Sequence, residues 1–159
     1  ILVSKYFGDK AVAKTYSRIA NGNLEQAIRL TEDSKHESRT LMISLVEAAL
    51  KKDDMFLITG VSSAKEKYKA ELVHDLLYHL ALWFNDMSKL YADRKDINSI
   101  DYLDLLEQCV KNCEVCDSDI PVSLLYFDEL HRKIDGNVNI QFIMINLYNH
   151  LKQVFNPSL

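Results

Sequence analysis

The sequence predicts an all-α protein, a helical bundle preceded by a short pair of helices. Apolar residues recur every three or four positions over long segments, as they do along one side of a helix. No alternating strand pattern of useful length lies between those segments. The helix-breaking residues fall between the segments or in a first helical turn. They are Gly8, Gly22, Gly60, Gly136, Pro121 and Pro157.

A turn and a capping residue predict the first two helices. A helix over about 9–20 ends at the Asn21-Gly22 turn, because glycine readily adopts the left-handed backbone that closes a helix. Asn23 can then cap a second helix, with Gln26 three residues on as the matching position of a capping box. The apolar residues of this second helix are Ala27, Ile28 and Leu30.

The bundle itself is predicted to contain five helices. Ser34 with Glu37 indicates the start of a helix over about 35–51. The next helix, about 64–92, has two adjacent apolar stripes, so we expect it to pack on two sides. Ser63 with Glu66 indicates the start of that long helix. A helix over about 100–116 follows, and then one over about 120–134 that carries Val122, Leu125, Tyr126, Glu129 and Leu130. Asn137 or Asn139 caps a last helix, which ends at about Phe155.

The last helix is apolar nearly all the way round in its first half. One stripe, which includes Met144 and Leu147, can face the core of the bundle. The other stripe needs either a second layer of helices or a partner protein, because a broad exposed apolar patch usually marks an interface. We therefore expect protein-interface residues on this second stripe, at Phe142, Ile145 and Tyr148. The alternative, equally favoured, is a helix buried wholly inside this domain.

Composition and charge argue against several classes of function. The 159 residues carry a net charge of −4, whereas nucleic-acid binding needs a large positive surface. No apolar run approaches the ~20 residues of a membrane span, and the start "ILVSKYFGDK" lacks the features of a secretory signal. We therefore expect a cytoplasmic fragment of a longer chain, with no independent nucleic-acid binding, no membrane and no small-molecule substrate.

Recognisable catalytic motifs are absent from the sequence, including phosphate loops, dinucleotide loops, zinc-protease helices and nucleophile elbows. His74 and His79 lie about 140° apart around a helix, which makes them a poor metal pair. His79 on an apolar stripe is typical of a core histidine. The Asp53-Asp54 pair indicates helix termination and solubility. We therefore expect no catalytic residue, no metal and no cofactor.

All three cysteines lie in the pattern C-x3-C-x2-C, which some enzymes use to hold an iron–sulfur cluster. Such a cluster normally needs a loop, whereas Cys109, Cys113 and Cys116 have the spacing of a buried helical stripe in line with Leu106 and Tyr102. We therefore expect Cys109 and Cys113 to be buried and Cys116 to be the most accessible. A metal-binding enzyme that uses the three cysteines is the less favoured alternative.

Two segments resemble one known family. "SRIANGNLEQAIRLTED", Ser17 to Asp33, resembles the end of the lid subdomain of AAA+ clamp-loader subunits, where a small-residue turn separates two helices. "DGNVNIQFIMINLYNHL", Asp135 to Leu151, resembles the closing helix of the same family's C-terminal domain, which follows an Asn-x-Asn sequence. The residues that match the family motifs are Gly22, Asn23, Ala27, Asn137 and Asn139.

The resemblance implies a remnant of the lid over 1–34 and a helical collar domain over 35–159, through which subunits assemble into a ring. The sensor arginine of ATP-hydrolysing members aligns with Glu25, and Arg29 lies one turn further on. This departure suits the delta-prime type, which does not hydrolyse ATP.

The function implied by the resemblance is a non-catalytic scaffold in the DNA polymerase III clamp loader. Its partners would be the delta and gamma/tau type subunits, with which it supports sliding-clamp loading in DNA replication. The alternative is a generic α-helical interaction module, although no self-similarity near a period of 34 residues is present.

Overall fold

The computed structural model describes residues 9–30, 33–57, 70–112 and 119–157. Over these ranges the chain forms seven α-helices and no β-strand, which confirms the predicted all-α class. None of the helices described is long and apolar enough to cross a membrane. The helices are α1 Lys10–Ile19, α2 Leu24–Arg29, α3 Asp33–Lys51, α4 Ala70–Tyr91, α5 Leu103–Asn112, α6 Asp119–Asp135 and α7 Ile140–Phe155, and a 3-10 turn, Ile100–Tyr102, precedes α5.

Asparagine side chains cap two of the helices. The Asn23 side chain accepts a hydrogen bond from the backbone N–H of Gln26 at 3.1 Å and so caps α2, as predicted. The Asn139 side chain caps α7 in the same way, through the N–H of Gln141 at 2.8 Å. Asn137 instead adopts a positive φ of 59° in the turn after α6. Of the two predicted caps for the last helix, Asn139 is therefore the correct one.

Several predicted helix starts differ from the structure or lie outside it. α3 begins at Asp33, so Ser34 lies inside the helix and the prediction that it caps α3 is wrong. Start signals alone locate a helix end only to within one or two residues. The predicted boundary between residues 34 and 35 therefore falls inside α3, and the division into two domains stays a prediction. The start predicted at Ser63 lies outside the described residues.

One buried carboxylate explains why the helix predicted over 100–116 begins with a 3-10 turn. Asp86 of α4 accepts hydrogen bonds from the backbone N–H groups of Asn98 and Ser99, at 3.0 and 2.8 Å. These bonds hold the connection before α5 against α4. Arg18 of α1 also donates to the carbonyl of Ile97 in the same connection. The chain becomes α-helical only after it leaves this anchored segment.

The main core lies where α3, α4, α6 and α7 meet. α4 lies at its centre and is buried on two sides, as its two apolar stripes predict. The ring of Phe84 packs edge-on against Phe127 of α6, with 5.2 Å between centroids. The same ring stacks on Phe155 of α7 at 6.0 Å. Phe84 therefore joins three helices of the bundle through a single side chain.

A second and smaller apolar cluster holds α1 against α2. The backbone reverses through Asn21 and Gly22, which have φ values of 48° and 80°. A Cβ atom on Gly22 would meet no other atom, so the glycine is favoured here by its backbone conformation alone. The buried residues of this cluster are Tyr16, Ala20, Ala27 and Leu30.

A buried ion pair lies between the two clusters. Arg39 of α3 donates through Nη2 to Oδ1 of Asp101 at 2.6 Å, and the two side chains are only 5% and 7% exposed. The Thr15 hydroxyl of α1 donates to the same oxygen at 2.9 Å. The guanidinium lies over the rings of Tyr16 and Tyr102, at 5.8 and 5.5 Å. We call Thr15, Arg39 and Asp101 the polar junction, because they connect α1 to the bundle.

Candidate interaction surface

The structure separates the three residues that were predicted to form an interface on α7. Phe142 is 63% exposed, Ile145 is half-buried against the main core, and Tyr148 is fully buried. Two steps of three residues advance a helix by about 240° from Phe142, so Tyr148 cannot point the same way. Tyr148 packs instead against Phe56, which follows α3. It is a core residue, and this corrects its assignment to the interface.

Asp54 anchors Tyr148 and has a larger role than the predicted helix termination and solubility. The Tyr148 hydroxyl donates to Asp54 Oδ1 at 3.0 Å, and Lys152 Nζ donates to the same oxygen at 2.7 Å. These bonds, first that from Lys152, lower the pKa of Asp54. Burial, followed by the bond to Asp54, raises the pKa of Tyr148 to about 12. Lys52, with a positive φ of 54°, ends α3 before this contact.

Exposed apolar side chains occur on the outward sides of both α6 and α7. Leu125 is 67% exposed and Val122 lies one turn before it on the same side of α6, which corrects their predicted place in the core. The apolar periodicity of this segment correctly predicted a helix, but the side of α6 that is buried is a neighbouring stripe, which includes Ser123 and Phe127. We define the α6–α7 outer surface by its four exposed apolar residues, Val122, Leu125, Val138 and Phe142.

The α6–α7 outer surface has an apolar group at each end. α6 and α7 run antiparallel, since the Ser123 hydroxyl near the start of α6 bonds His150 near the end of α7, at 3.0 Å. Val122 and Leu125 therefore lie beside the end of α7. Phe142 lies near the turn that joins the helices. A partner that covers both groups would extend along most of the two-helix hairpin.

The cysteine prediction is confirmed where the structure describes it. Cys109 is fully buried in the main core. Cys113 and Cys116 lie outside the described residues, so the burial of Cys113 and the accessibility of Cys116 stay predictions. Tyr102, expected on the same buried stripe, lies in the 3-10 turn and is partly exposed. Across the residues described, no three His, Cys, Asp or Glu side chains converge as a metal site.

Two histidines from different helices meet on the surface of the bundle. Nδ1 of His74 in α4 lies 2.6 Å from Nδ1 of His131 in α6, and we call these residues the histidine pair. Nε2 of His74 lies 3.2 Å from Oδ1 of Asp135. No local pattern in the sequence indicates this pair, because its members are 57 residues apart. His79 of α4 is buried, as its place on an apolar stripe predicts.

The two positions compared with the family's sensor arginine interact with each other. Arg29 donates to Glu25 at 3.0 Å, one turn apart on the exposed side of α2. Both side chains line a cleft of about 510 Å³ between α2 and α4, which also includes Tyr78 and His79. An exposed ion pair of this kind contributes little to stability.

Comparisons of this chain with protein-family models, with curated proteins and with solved structures find no match. The resemblance to clamp-loader subunits therefore depends on the residues of the two segments themselves.

His150 of α7 is an ionisable side chain packed against two aromatic rings of α6. Its ring lies 4.4 Å from the ring of Tyr126 and 6.1 Å from that of Phe127, measured between centroids. Burial among these rings lowers the pKa of His150 below 6.5, and Asp119 opposes the shift. The folded protein therefore favours neutral His150 more strongly than the unfolded chain does.

We expect the free energy of unfolding to fall as the pH drops from about 6.5 through the folded-state pKa of His150. In that range the unfolded chain binds more protons at this site than the folded chain. Above about pH 6.5, the neutral His150 ring makes its full contribution to the free energy of unfolding. In His150→Gln, the fall between about pH 7.5 and pH 5.5 should be smaller than in the wild type. Urea unfolding followed by circular dichroism measures the difference.

The control for this measurement is Asn149→Gln, a change at the exposed neighbouring position. It should keep the wild-type pH dependence, since it leaves the histidine in place. If His150→Gln and the wild type lost equal free energy over the same pH interval, the assignment to His150 would be wrong.

Proposed function

We propose that this chain is a non-catalytic scaffold of the delta-prime type in a bacterial clamp loader. It would assemble in the cytoplasm with delta and gamma/tau type subunits and so support sliding-clamp loading in DNA replication. The observation that carries the proposal is the conformation of the first family-like segment. Asn21 and Gly22 form a left-handed turn, Asn23 caps α2, and Ala27 is buried against α1. This is the helix, small-residue turn and helix that the resemblance implies.

The second family-like segment supports the same proposal. Asn137 has a left-handed backbone after α6, and Asn139 caps α7. The Asn-x-Asn sequence thus serves as a turn and a cap before an apolar helix. In the proposed protein, residues 1–34 are the end of a lid subdomain and residues 35–159 are a collar.

The proposed contact with other subunits lies on the α6–α7 outer surface. Large apolar side chains such as Leu125 and Phe142 are mostly exposed there, which is typical of surfaces that partner proteins cover. An interface of stable size needs about 800 Å² from each partner. The two-helix hairpin is long enough for a contact of that kind, with one apolar group at each end.

The test is co-purification with the delta and gamma/tau type subunits of the same organism, expressed together with this chain. Leu125→Glu and Phe142→Glu are each expected to weaken or abolish co-purification, because each places a charge in an interface that buries apolar surface. Both residues are exposed, so helicity measured by circular dichroism should remain that of the wild type.

Gln108→Glu is the control, since it adds the same charge at an exposed polar position of α5, outside the α6–α7 outer surface. It should reduce co-purification less than Phe142→Glu. Unchanged assembly in both Leu125→Glu and Phe142→Glu would reject this surface as the interface. Failure of the wild-type chain to bind any clamp-loader subunit would reject the proposed function and leave a helical interaction module of another kind.

A further inference from the structure

The histidine pair has the geometry of two ligands directed at one point. The ring planes of His74 and His131 differ by only 6°, and their centroids are 4.9 Å apart. The distance between the centroids equals the 2.6 Å between the two Nδ1 atoms plus the distance from centroid to nitrogen within each ring, so the four points lie nearly on one line. The rings therefore lie edge to edge in nearly one plane. Each in-plane Nδ1 lone pair points at the other ring, and only a proton or a metal ion can make that arrangement attractive.

Asp135 favours the form of His74 that can bind a metal. Its Oδ1 lies 3.2 Å from Nε2 of His74, and a carboxylate at that position favours a proton on Nε2. Nδ1 of His74 then presents a lone pair toward His131. Metal-binding histidines usually have such a carboxylate or carbonyl behind the ring, which fixes the tautomer and the ring orientation.

The surroundings of His131 favour its neutral form on balance and attract cations. Burial, and then repulsion from His74, lowers the pKa of His131 below its ordinary value of 6.5. A neutral imidazole is the form that binds metals. Asp128 and Asp135 lie one turn before and after His131 and add negative charge beside it. The nearby Lys133 is paired with Glu129, which reduces its repulsion of a bound cation.

We propose that His74 and His131 bind one divalent transition-metal ion of the class that prefers imidazole ligands, with Zn²⁺ as the representative ion. Zinc takes the place of the proton shared by the two Nδ1 atoms, and that proton moves to Nε2 of His131. For tetrahedral zinc, the two nitrogens must separate from 2.6 Å to roughly 3.3 Å, and the rings must tilt until their lone pairs meet at about 109° instead of head-on. Both rings are partly exposed, so they can make this movement and water can supply the remaining ligands.

The site is independent of the proposed function. His74 lies on α4, and the polar junction and the α6–α7 outer surface include neither of the two histidines. Zinc would link α4 to α6 and so stabilise the bundle in proportion to its affinity for the folded state. Zinc binding could therefore be absent while the scaffold function is correct, and the scaffold function could be wrong while zinc still binds.

The test is a titration of the metal-free wild-type chain with zinc sulfate, followed by NMR of the histidine rings and by calorimetry. We expect saturable binding of one ion, with the ring resonances of His74 and His131 shifted and those of His150 unchanged. His74→Gln and His131→Gln should each weaken binding by at least as much as loss of an orienting carboxylate, about 10–100-fold. Asp135→Asn should weaken it about 10-fold.

His150→Gln is the control, because it removes a half-buried histidine of the same hairpin and should keep the wild-type affinity. The NMR titration of the wild type decides the question even if a variant fails to fold. The proposal is overturned by absence of saturable zinc binding, which would leave a proton-sharing pair only. It is also overturned if both histidine variants bind zinc with wild-type affinity, since the ion would then lie at another group such as the cysteines.

Discussion

Replacing Asp101 with alanine is expected to destabilise the protein by about 3–5 kcal/mol, because it leaves Arg39 charged and buried without a counterion. The Arg39 side chain is 5% exposed, and its Nη2 has Asp101 as a partner at 2.6 Å. Its Nε and Nη1 atoms have no hydrogen-bond acceptor among the residues described. Asp101 is therefore the main compensation for the desolvated guanidinium, and the Tyr16 and Tyr102 rings contribute less.

Urea unfolding of Asp101→Ala and the wild type measures this loss. The double variant Arg39→Met with Asp101→Leu replaces the ion pair with apolar side chains of similar size. It should recover most of the lost stability, because a buried ion pair as a whole contributes little beyond an apolar equivalent. A loss below about 1 kcal/mol in the single variant, or no recovery in the double variant, would contradict the account of the polar junction.

Phe84→Ala is the second substitution with a large expected effect, about 3–5 kcal/mol. It removes a fully buried ring that contacts both Phe127 and Phe155, so the cavity would border three helices. The free energy of unfolding in urea measures the change.

Phe142→Ala is the matched control for Phe84→Ala, since it truncates the same side chain at an exposed position of α7. Its effect should lie within about 0.5 kcal/mol of zero. Similar losses in the two alanine variants would mean that the main core does not depend on Phe84 in the way described.

Local features of the fold could be predicted from the sequence. The cap at Asn23 and the turn at Gly22 depend on a few adjacent residues, and both occur as expected. The two apolar stripes of α4 predicted its burial on two sides correctly. Helix-forming patterns and caps are short-range signals, so they depend less on the packing of distant residues than tertiary contacts do, although the cap predicted at Ser34 is an exception. Asn137 and Asn139 could not be ranked, because both are good capping residues.

Contacts between distant residues could not be predicted in the same way. Arg39 and Asp101 are 62 residues apart, and nothing in the local sequence of either indicates the other. The position of Tyr148 depended on which side of α7 would meet Asp54, 94 residues earlier. For α6, two neighbouring stripes were both apolar enough to be buried, and only packing against α4 and α7 decided between them. The candidate surface was thus predicted at Phe142 and missed at Leu125.

The polar junction also bears on how the protein opens without unfolding completely. α1 and α2 bury one small apolar cluster of their own and meet the bundle chiefly through Thr15, Asp101 and the bond from Arg18 to Ile97. The larger cluster around Phe84 has no such dependence on a few polar groups. We therefore expect residues 10–29 to open as a separate cooperative unit, whose amide hydrogens exchange with solvent at a lower free-energy cost than those of α4.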